Sequence, residues 1–471
     1  MTANDIVSLI VHAIVIVILT VNVLQNALYL FQIVAAVGGM IRPGTNSGGI
    51  QLWRRYGASA PPIALLAPAY NEELGIVDCV KALFALEYPL TEVIVINDGS
   101  TDNTLGVLTD AFELTPTRRT FDTVVSHKPI RGIYVSRVHP NLLVIDKENG
   151  GKADAMNAGI NLARAPLFCA IDSDSLLESD ALLRIVRPFV EQPQRTVAVG
   201  GVVRVVNGCR IQSGRVVEIR APRRFLPLVQ SIEYLRAFLM ARVAWSGVDT
   251  LMLISGAFGL FRRDVAVQVG GFGTDTIGED LDLVIKIHRH MRDQRRPYNI
   301  AFLTDPICWT EAPESLRVLK GQRCRWQRGA LEVFFKQRDM LFRSRYGRIG
   351  WLGMGQILIV DVLGPLAELS GYILLPAFWA LGWINVSYFD AFLSLVFLFG
   401  MFLSVSSLVL AELATQPYPR LGDLLRLALA AMIENFGYRQ LNSYWRMLGW
   451  WQFLRKDKSW GVMTRVGFNS D

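Results

Sequence analysis

Cysteine and histidine are scarce in this chain, at five residues each, and none of them has the short spacing of a zinc site. The cysteines are odd in number and several lie in apolar runs, which predicts reduced core residues and a reducing compartment. His288 and His290 are interpreted as solvated side chains on a helix and not as ligands. Aromatic RNA-binding motifs are missing as well, so the net charge of +7 does not predict a nucleic-acid partner.

Two familiar phosphate-binding motifs are also missing. Ala153 follows Lys152 where a P-loop needs Ser or Thr, and no glycine occupies position 146. No GxGxxG motif follows a predicted strand, which argues against a Rossmann dinucleotide site.

Charged residues are nearly absent from three long segments, as in transmembrane helices. Ile6–Met40 is too short for two spans of about 20 residues and a turn, so it predicts one tilted or overhanging helix that ends near Gly38 and Gly39. A cleaved signal peptide is not expected, because no basic residue precedes this run and the run is too long. Two more spans are predicted near Met354–Ile384 and Ala391–Leu413.

Basic residues lie beside these spans. They are Arg42, Arg54 and Arg55 after the first span, and Arg345, Arg348 and Arg420 around the later pair. The positive-inside rule then predicts an external N-terminus and a cytoplasmic domain in a multi-pass protein of the inner (plasma) membrane.

Two other segments leave alternatives open. In Pro222–Ala244, apolar and basic residues interleave at helical spacing, which fits a membrane-surface helix and a buried helix equally well. Leu424–Leu454 is apolar but carries four charged residues, so an interfacial helix and a membrane span are equally good interpretations.

The region from Pro61 to about Gly329 alternates between short apolar strands and helical stretches such as Glu72–Leu86 and Lys152–Arg164. The predicted strands are Ile63–Ala67, Val93–Ile96, Leu142–Ile145 and Leu167–Ile171. This alternation favours a parallel sheet with helices on its faces, whose ligands bind at the carboxyl ends of the strands.

Polar residues follow the first three of these strands. LLAPAYNEE places Tyr70 and Glu72 after the first strand, and NDGS places Asp98 at the end of the second. Asp98 can accept hydrogen bonds from a base edge or a ribose, but an Asx turn explains it as well. Lys152 follows two glycines at a helix start, where phosphate binds readily; a solvated lysine is the alternative.

The fourth strand ends in Asp172-Ser173-Asp174. Alternate residues of an extended chain point to one side, so both carboxylates can bind one hard cation, such as Mg²⁺ or Mn²⁺. Further along the chain, Glu279-Asp280 starts an amphipathic helix. Asp280 can serve as a general base for a hydroxyl, or the pair can simply complement the helix dipole.

The stretch GQRCRWQRG, Gly321 to Gly329, places dense positive charge around a tryptophan shortly before the apolar runs. A basic collar against lipid headgroups is one explanation. The other is a binding site for an anionic group beside a flat, hydroxylated one.

Together, the pieces YNE, DGS, GGKADAMNAG, DSD, GED and QRCRW resemble the membrane-integrated processive branch of glycosyltransferase family 2. That branch includes the cellulose, chitin, hyaluronan and poly-N-acetylglucosamine synthases. QxxRW is the most discriminating piece, since it resembles the processive members and not family 2 as a whole. The resemblance covers about Pro61 to Gly329, and the flanking spans match it too.

The resemblance implies a role for each residue that matches a motif. The donor-binding residues would be Tyr70, Glu72, Asp98, Lys152 and Asp172. The metal ligands, for Mg²⁺ or Mn²⁺, would be Asp172 and Asp174. Asp280, with Glu279 beside it, would take the proton of the acceptor hydroxyl. The acceptor end and the diphosphate would meet Gln322, Arg323, Arg325 and Trp326.

The resemblance thus implies an inverting, metal-dependent enzyme with a GT-A-type α/β domain between transmembrane helices, which elongates a β-linked polysaccharide from a UDP-sugar. A polymer like poly-N-acetylglucosamine or a β-glucan is expected. Two alternatives stay open, a single transfer to a lipid acceptor and a non-catalytic subunit of a secretion complex. The expected partners are the UDP-sugar, the growing polysaccharide and the bilayer, with homo-oligomers or accessory secretion subunits left open.

The expected division of the chain is a transmembrane helix (1–45), a linker (46–60), the GT-A domain (61–330), a basic interfacial segment (331–350), two transmembrane helices (351–415), and an interfacial or third membrane segment with a cytoplasmic tail (416–471). Asp361 and Glu368 lie seven residues apart in an apolar span, so they share a helix face. They are expected to face a polymer path or a neighbouring helix. Packing against the domain near the cytoplasmic end is the alternative.

Overall fold

The computed structural model describes residues 3–40, 54, 59–173, 175–212, 214–414 and 418–457. Asp174, a predicted metal ligand, lies outside these residues, and so do Arg42 and Arg55 beside the first predicted span.

The strands in chain order are β1 (Ile63–Ala69), β2 (Thr91–Asp98), β3 (Leu114–Pro116), β4 (Ile130–Ser136), β5 (Leu142–Lys147), β6 (Leu167–Ile171), β7 (Ser175–Leu177), β8 (Thr196–Val205), β9 (Arg210–Gln212), β10 (Arg215–Glu218), β11 (Phe258–Arg262) and β12 (Asn299–Thr310).

The helices in chain order are α1 (Ala3–Met40), α2 (Ile76–Phe84), α3 (Thr104–Phe112), α4 (Lys152–Leu162), α5 (Ala181–Ile185), α6 (Arg187–Glu191), α7 (Phe225–Tyr234), α8 (Ala241–Gly247), α9 (Arg263–Gln268), α10 (Glu279–Asp293), α11 (Leu316–Lys336), α12 (Met354–Gln356), α13 (Gly364–Ala380), α14 (Val386–Leu393), α15 (Phe399–Ala414), α16 (Leu421–Ile433) and α17 (Tyr438–Leu454). Wider π-helical turns at Leu235–Met240, Ile349–Gly353, Ile357–Leu363 and Ser394–Leu398 join several of them.

The chain forms two compact units. The sheet unit comprises Ile41–Pro222 and Leu251–Ala312, and the helical unit comprises Met1–Met40, Arg223–Thr250 and Pro313–Met463. The segment around α7 and the helix α11 thus belong to the helical unit, although the sequence groups them with the α/β region.

The sheet unit is built on a ten-stranded sheet in the order β3-β4-β5-β2-β1-β6-β11-β8-β12-β7. The four strands predicted from their apolar runs are confirmed, and β5, β2, β1 and β6 are mutually parallel as expected. The sheet as a whole is mixed and not purely parallel, because β11 runs antiparallel to both β6 and β8. An apolar run indicates that a strand is buried but not the direction in which it crosses the sheet.

The four parallel strands place their carboxyl ends along one edge of the sheet. Their interiors are buried, as expected for strands with helices on both faces. The residues that end or follow them, including Tyr70, Asp98, Lys147 and Asp172, therefore lie along the same edge.

Within the described part of the helical unit, three helices are long and apolar enough to cross a membrane, at Ser8–Gly39, Ile349–Ala380 and Val386–Ala414. They match the three predicted apolar helices to within a few residues. The segment Pro222–Ala244 is helical from Phe225, and Val229, Ile232 and Leu239 on it are fully buried, which favours the buried helix over the membrane-surface helix. The ambiguous segment Leu424–Leu454 breaks into two helices, α16 and α17.

The two acidic residues of the second span contact α17. Arg446 lies 3.1 Å from the Asp361 carboxylate, and Arg439 lies 3.4 Å from Glu368. The Ser443 hydroxyl donates to Glu368 at 2.6 Å. Of the two expected surroundings, a polymer path or a neighbouring helix, the contacts show the neighbouring helix for both acids.

Candidate active site

The loops after β1 and β2 are tied together by short hydrogen bonds. Asn71 adopts a left-handed backbone with φ of 56°, and its side-chain oxygen accepts from the Thr101 amide at 2.8 Å. The Glu72 amide donates to the Thr104 hydroxyl at 2.9 Å. These contacts hold Tyr70, which is half-exposed, and Glu72 at the carboxyl edge of the sheet.

Asp98, predicted to bind the donor, is buried at the end of β2. Its carboxylate accepts from the amides of Gly150 and Gly151 at 3.0 and 2.7 Å and from the Lys147 ammonium at 2.7 Å. Gly99 follows with φ of 67°, and a Cβ there would come within 2.6 Å of the Asn149 nitrogen. Asp98 therefore fixes the glycine turn that starts α4.

Lys147, at the end of β5, is a residue that the sequence analysis did not single out. Its side chain is fully buried between Asp98 and Asp154, at 2.7 and 2.5 Å. Asp154 also accepts from the Lys128 amide at 3.0 Å. The lysine thus offsets one of the two buried negative charges. Through Asp98 and Asp154 it also connects the residues on either side of the turn that carries Lys152.

Lys152 is the centre of an acidic cluster. Its ammonium lies 2.5 Å from Asp172 and 3.8 Å from Glu279. Burial disfavours the charged lysine, but the two carboxylates outweigh it and raise the pKa of Lys152. Burial also raises the pKa of Glu279 to about 7, although Lys152 opposes the shift.

Asp280 follows Glu279 in the first turn of α10. One of its carboxylate oxygens accepts from the Gly256 amide at 3.2 Å, and the other from the Leu281 amide at 2.8 Å. A Cβ on Gly256 would lie 2.8 Å from the Lys152 ammonium. Gly256 therefore makes room for Lys152 while it orients Asp280, a role that its Ser-Gly context in the sequence does not reveal.

The interpretation of His288 as solvated is wrong. The ring is buried, with one nitrogen 2.8 Å from the Leu251 carbonyl oxygen and the other 2.7 Å from the Tyr298 hydroxyl. Burial lowers the pKa of His288 to about 4. The neutral ring joins α10 to the segment that leads to Gly256. His290 is partly exposed and contacts Gln268.

The sheet unit thus gathers Lys152, Asp172, Glu279 and Asp280 into one cluster. Glu72 joins its border, because the Ser173 hydroxyl donates to the Glu72 carboxylate at 3.2 Å. Among the described residues, no group of three or more His, Cys, Asp or Glu side chains forms a metal site. Asp172 supplies one hard, partly exposed carboxylate, which suits Mg²⁺ or Mn²⁺.

The predicted acceptor residues lie on α11 in the helical unit. Gln322, Arg325 and Trp326 are spaced to share one helix face. Trp326 is 42% exposed, while Gln322 is buried and its amide oxygen has no hydrogen-bond partner among the described atoms.

Arg323, which is predicted to meet the acceptor or the diphosphate, is paired within the protein. Its side chain is only 6% exposed, and its guanidinium pairs with Glu233 at 2.6 Å. Its predicted contact with a ligand therefore stays a prediction. The sequence shows the dense charge of this stretch but not that Arg323 pairs with Glu233.

Comparison with known proteins agrees with these motifs. The profile for glycosyl transferase family 2 matches residues 65–266. Poly-beta-1,6-N-acetyl-D-glucosamine synthases of Staphylococcus epidermidis and of Staphylococcus aureus (strain COL) are each 29% identical over 275 residues, which is 58% of this chain and 56% of theirs. The match therefore spans little more than half the length of these relatives.

The fold is shared with a solved structure. The mannosyltransferase from Pyrobaculum calidifontis, in complex with GDP-Man and Mn2+, has a TM-score of 0.57 at 18% identity. The likeness covers 94% of this chain and 100% of that one. The profile for glycosyl transferase family group 2 matches residues 167–405, just over half of the 471 residues. The chain belongs to this family, glycosyl transferase family group 2.

Proposed function

We propose that this glycosyltransferase is an inverting, divalent-metal-dependent enzyme that elongates a β-linked polysaccharide from a UDP-sugar. The observation that carries the proposal is the cluster of Lys152, Asp172, Glu279 and Asp280 at the carboxyl ends of the parallel strands. Such an edge is where open α/β sheets bind their ligands. Tyr70, Glu72 and Asp98 would hold the uridine, Asp98 from its buried position beneath the glycine turn.

Asp172, together with Asp174, would hold Mg²⁺ or Mn²⁺. When bound, the ion would offset the negative charge of the diphosphate. Lys152 would then exchange its contact with Asp172 for one with a donor phosphate. The lysine is held in place for this exchange by the turn that Asp98 and Lys147 fix.

Asp280 would take the proton of the acceptor hydroxyl, so that the oxygen attacks the anomeric carbon of an α-linked donor. The bond between that carbon and UDP breaks as the β-linkage forms, and UDP leaves. The amides of Gly256 and Leu281 orient its carboxylate. We assign this role to Asp280 and not to Glu279, because the Glu279 side chain is buried and faces Lys152 at 3.8 Å. Its contact with Lys152 makes it a support for that side chain.

The acceptor would meet Gln322, Arg325 and Trp326. An exposed indole offers a flat apolar face to a sugar ring, and the planar fork of Arg325 suits phosphate oxygens. The names of the two relatives support N-acetylglucosamine as the first sugar to test. The three spans support a multi-pass membrane protein, in which we place the sheet unit in the cytoplasm with export of the product across the membrane.

The test is synthesis by the purified full chain in mild detergent. UDP release is measured with UDP-N-acetylglucosamine, UDP-glucose and UDP-glucuronate, and product length is measured on gels. We expect one donor to release UDP and to give long products. EDTA should abolish UDP release, and Mg²⁺ or Mn²⁺ should restore it. Asp174→Ala should release little UDP even when Mg²⁺ or Mn²⁺ is added.

Three outcomes would contradict parts of this proposal. Products one sugar longer than a lipid acceptor would indicate a single-transfer enzyme. No UDP release with any donor would indicate a non-catalytic subunit. Undiminished turnover of Asp174→Ala would refute the metal assignment.

A further inference from the structure

Trp326 contacts two side chains that are not fixed positions of the QxxRW pattern. The guanidinium carbon of Arg323 lies 4.5 Å from the centroid of the Trp326 ring. The Phe238 ring meets the indole at 62°, with the centroids 6.1 Å apart. Trp326 nevertheless stays 42% exposed. Arginine thus covers one side of the ring, and part of the ring faces outward.

Glu233 fixes the position of Arg323. The same carboxylate oxygen accepts from the Arg323 guanidinium at 2.6 Å and from the Tyr438 hydroxyl at 2.9 Å. The other oxygen accepts from the Asn442 amide at 3.3 Å. A carboxylate held by two further donors cannot follow a moving arginine, so Arg323 is anchored on α7 and α17.

The Phe238 ring is held in place beside the indole of Trp326. Tyr234, one turn earlier, stacks on it with the centroids 4.6 Å apart, and the Arg242 guanidinium, one turn later, lies 4.2 Å from its centroid. Phe238 is therefore covered by its own helix neighbours. It lies in the π-helical turn Leu235–Met240, and such turns often mark functional positions. Trp326 is the ring of this group with a large exposed area.

We propose that Arg323, held by Glu233, is a positioning residue that fixes the plane of Trp326 for the terminal sugar of the acceptor. This inference rests on the proposed function. The physical reason is preorganisation: an indole already held by a cation and the Phe238 ring loses less side-chain freedom when a sugar binds. A loose indole would bind the same sugar more weakly.

The test compares acceptor and donor kinetics in the purified full chain, with a short oligosaccharide of its own product as acceptor. Arg323→Gln should raise the acceptor KM about three- to tenfold, because the indole loses its cation. The donor KM should not change. Arg323→Lys should recover part of the loss, because an ammonium can pair with Glu233 but lacks the planar guanidinium that stacks on the ring.

Arg439→Gln is the matched control. Arg439 is another arginine of the helical unit, paired with Glu368 at 3.4 Å, and it is not among the residues that contact Trp326. Its loss should lower the amount of folded protein and leave the acceptor KM unchanged. Glu233→Gln should raise the acceptor KM as Arg323→Gln does, and it carries the test if Arg323→Gln fails to fold.

The double variant Arg323→Gln/Trp326→Ala decides the mechanism. If Arg323 acts through the indole, the double variant should have the acceptor KM of Trp326→Ala alone. Additive losses, a raised donor KM, or a loss that only follows the amount of folded protein would overturn the inference. Failure of the proposed function would look different, since the wild-type chain itself would then not elongate the oligosaccharide.

Discussion

The two units bury charge in different ways. In the helical unit, each of four buried or half-buried acids has an arginine of its own. The pairs are Glu233–Arg323, Glu434–Arg236, Glu368–Arg439 and Asp361–Arg446. In the sheet unit, Asp172, Glu279 and Asp280 share one lysine, Lys152, among the residues that the structure describes.

We interpret the arginine pairs as structural charge, and we propose that the charge around Lys152 binds a ligand. A matched pair between two helices is complete, and its main effect is to hold the helices in register. Three carboxylates around one ammonium leave a surplus of negative charge, which a bound cation would offset. The group of Lys147, Asp98 and Asp154 lies between these two cases. Its two carboxylates share one lysine, but backbone amides complete their hydrogen bonds. The number of carboxylates per cation, together with the backbone amides that bind them, is therefore our criterion for telling a ligand site from a structural charge group.

Among changes to the acidic cluster around Lys152, Asp280→Asn should have the largest effect on turnover. An amide keeps the shape but cannot take a proton, so turnover should fall about 10²- to 10⁴-fold while UDP-sugar still binds. Binding is measured by calorimetry and turnover by UDP release. Asp264→Asn is the control, because Asp264 is an exposed partner of Arg262 in the same unit. Equal losses in both variants would mean that Asp280 is no base.

Lys147→Met should give the largest loss of stability. The change leaves Asp98 and Asp154 buried without their cation, which costs about 3–5 kcal/mol of unfolding free energy. Thermal unfolding in detergent checks this. Lys128→Met is the control, because its ammonium contacts only the Asn149 carbonyl at an exposed position among the described contacts. If the two variants unfold at the same temperature, the buried contacts of Lys147 do not contribute to stability.

Breaking one matched pair of the helical unit should have a smaller effect. Arg439→Leu leaves the Glu368 carboxylate with hydrogen bonds from Gln25 and Ser443, so we expect a loss of about 3 kcal/mol, the low end for a broken buried pair. The double variant Arg439→Leu/Glu368→Leu should be less damaged than Arg439→Leu, as unfolding of both can measure. Additive losses would show that the pair is not matched.

The smallest effect is a pH dependence at His288. The ring is neutral when folded, with a pKa of about 4, but takes up a proton below about 6.5 when unfolded. The unfolded chain thus binds more protons between these values, and stability falls as the pH falls through that window. From pH 7 to pH 5 the wild type should lose about 2 kcal/mol more than His288→Gln. Parallel losses in unfolding experiments would exclude His288 as the cause.

The sequence alone was sufficient for features that depend on neighbours along the chain. The apolar runs predict β1, β2, β5, β6 and the three spans, because burial needs only local composition. The sequence was insufficient for contacts between residues that lie far apart along the chain. Arg323 meets Glu233 across 90 residues, and His288 meets Leu251 across 37. Local pattern gives no sign of either contact, so the sequence does not reveal that Arg323 is paired within the protein or that His288 is buried.

The contacts of Glu368 also bear on how the chain is made. Arg439 and Ser443 follow this acid by 71 and 75 residues, so the ribosome releases the acidic span before its partners exist. Gln25 of α1 is made much earlier and donates to Glu368 at 2.9 Å. Insertion of a lone carboxylate into a membrane costs about 3 kcal/mol, and this early amide can reduce that cost. A chain that ended before α17 would therefore bury Glu368 with the Gln25 amide but without its arginine.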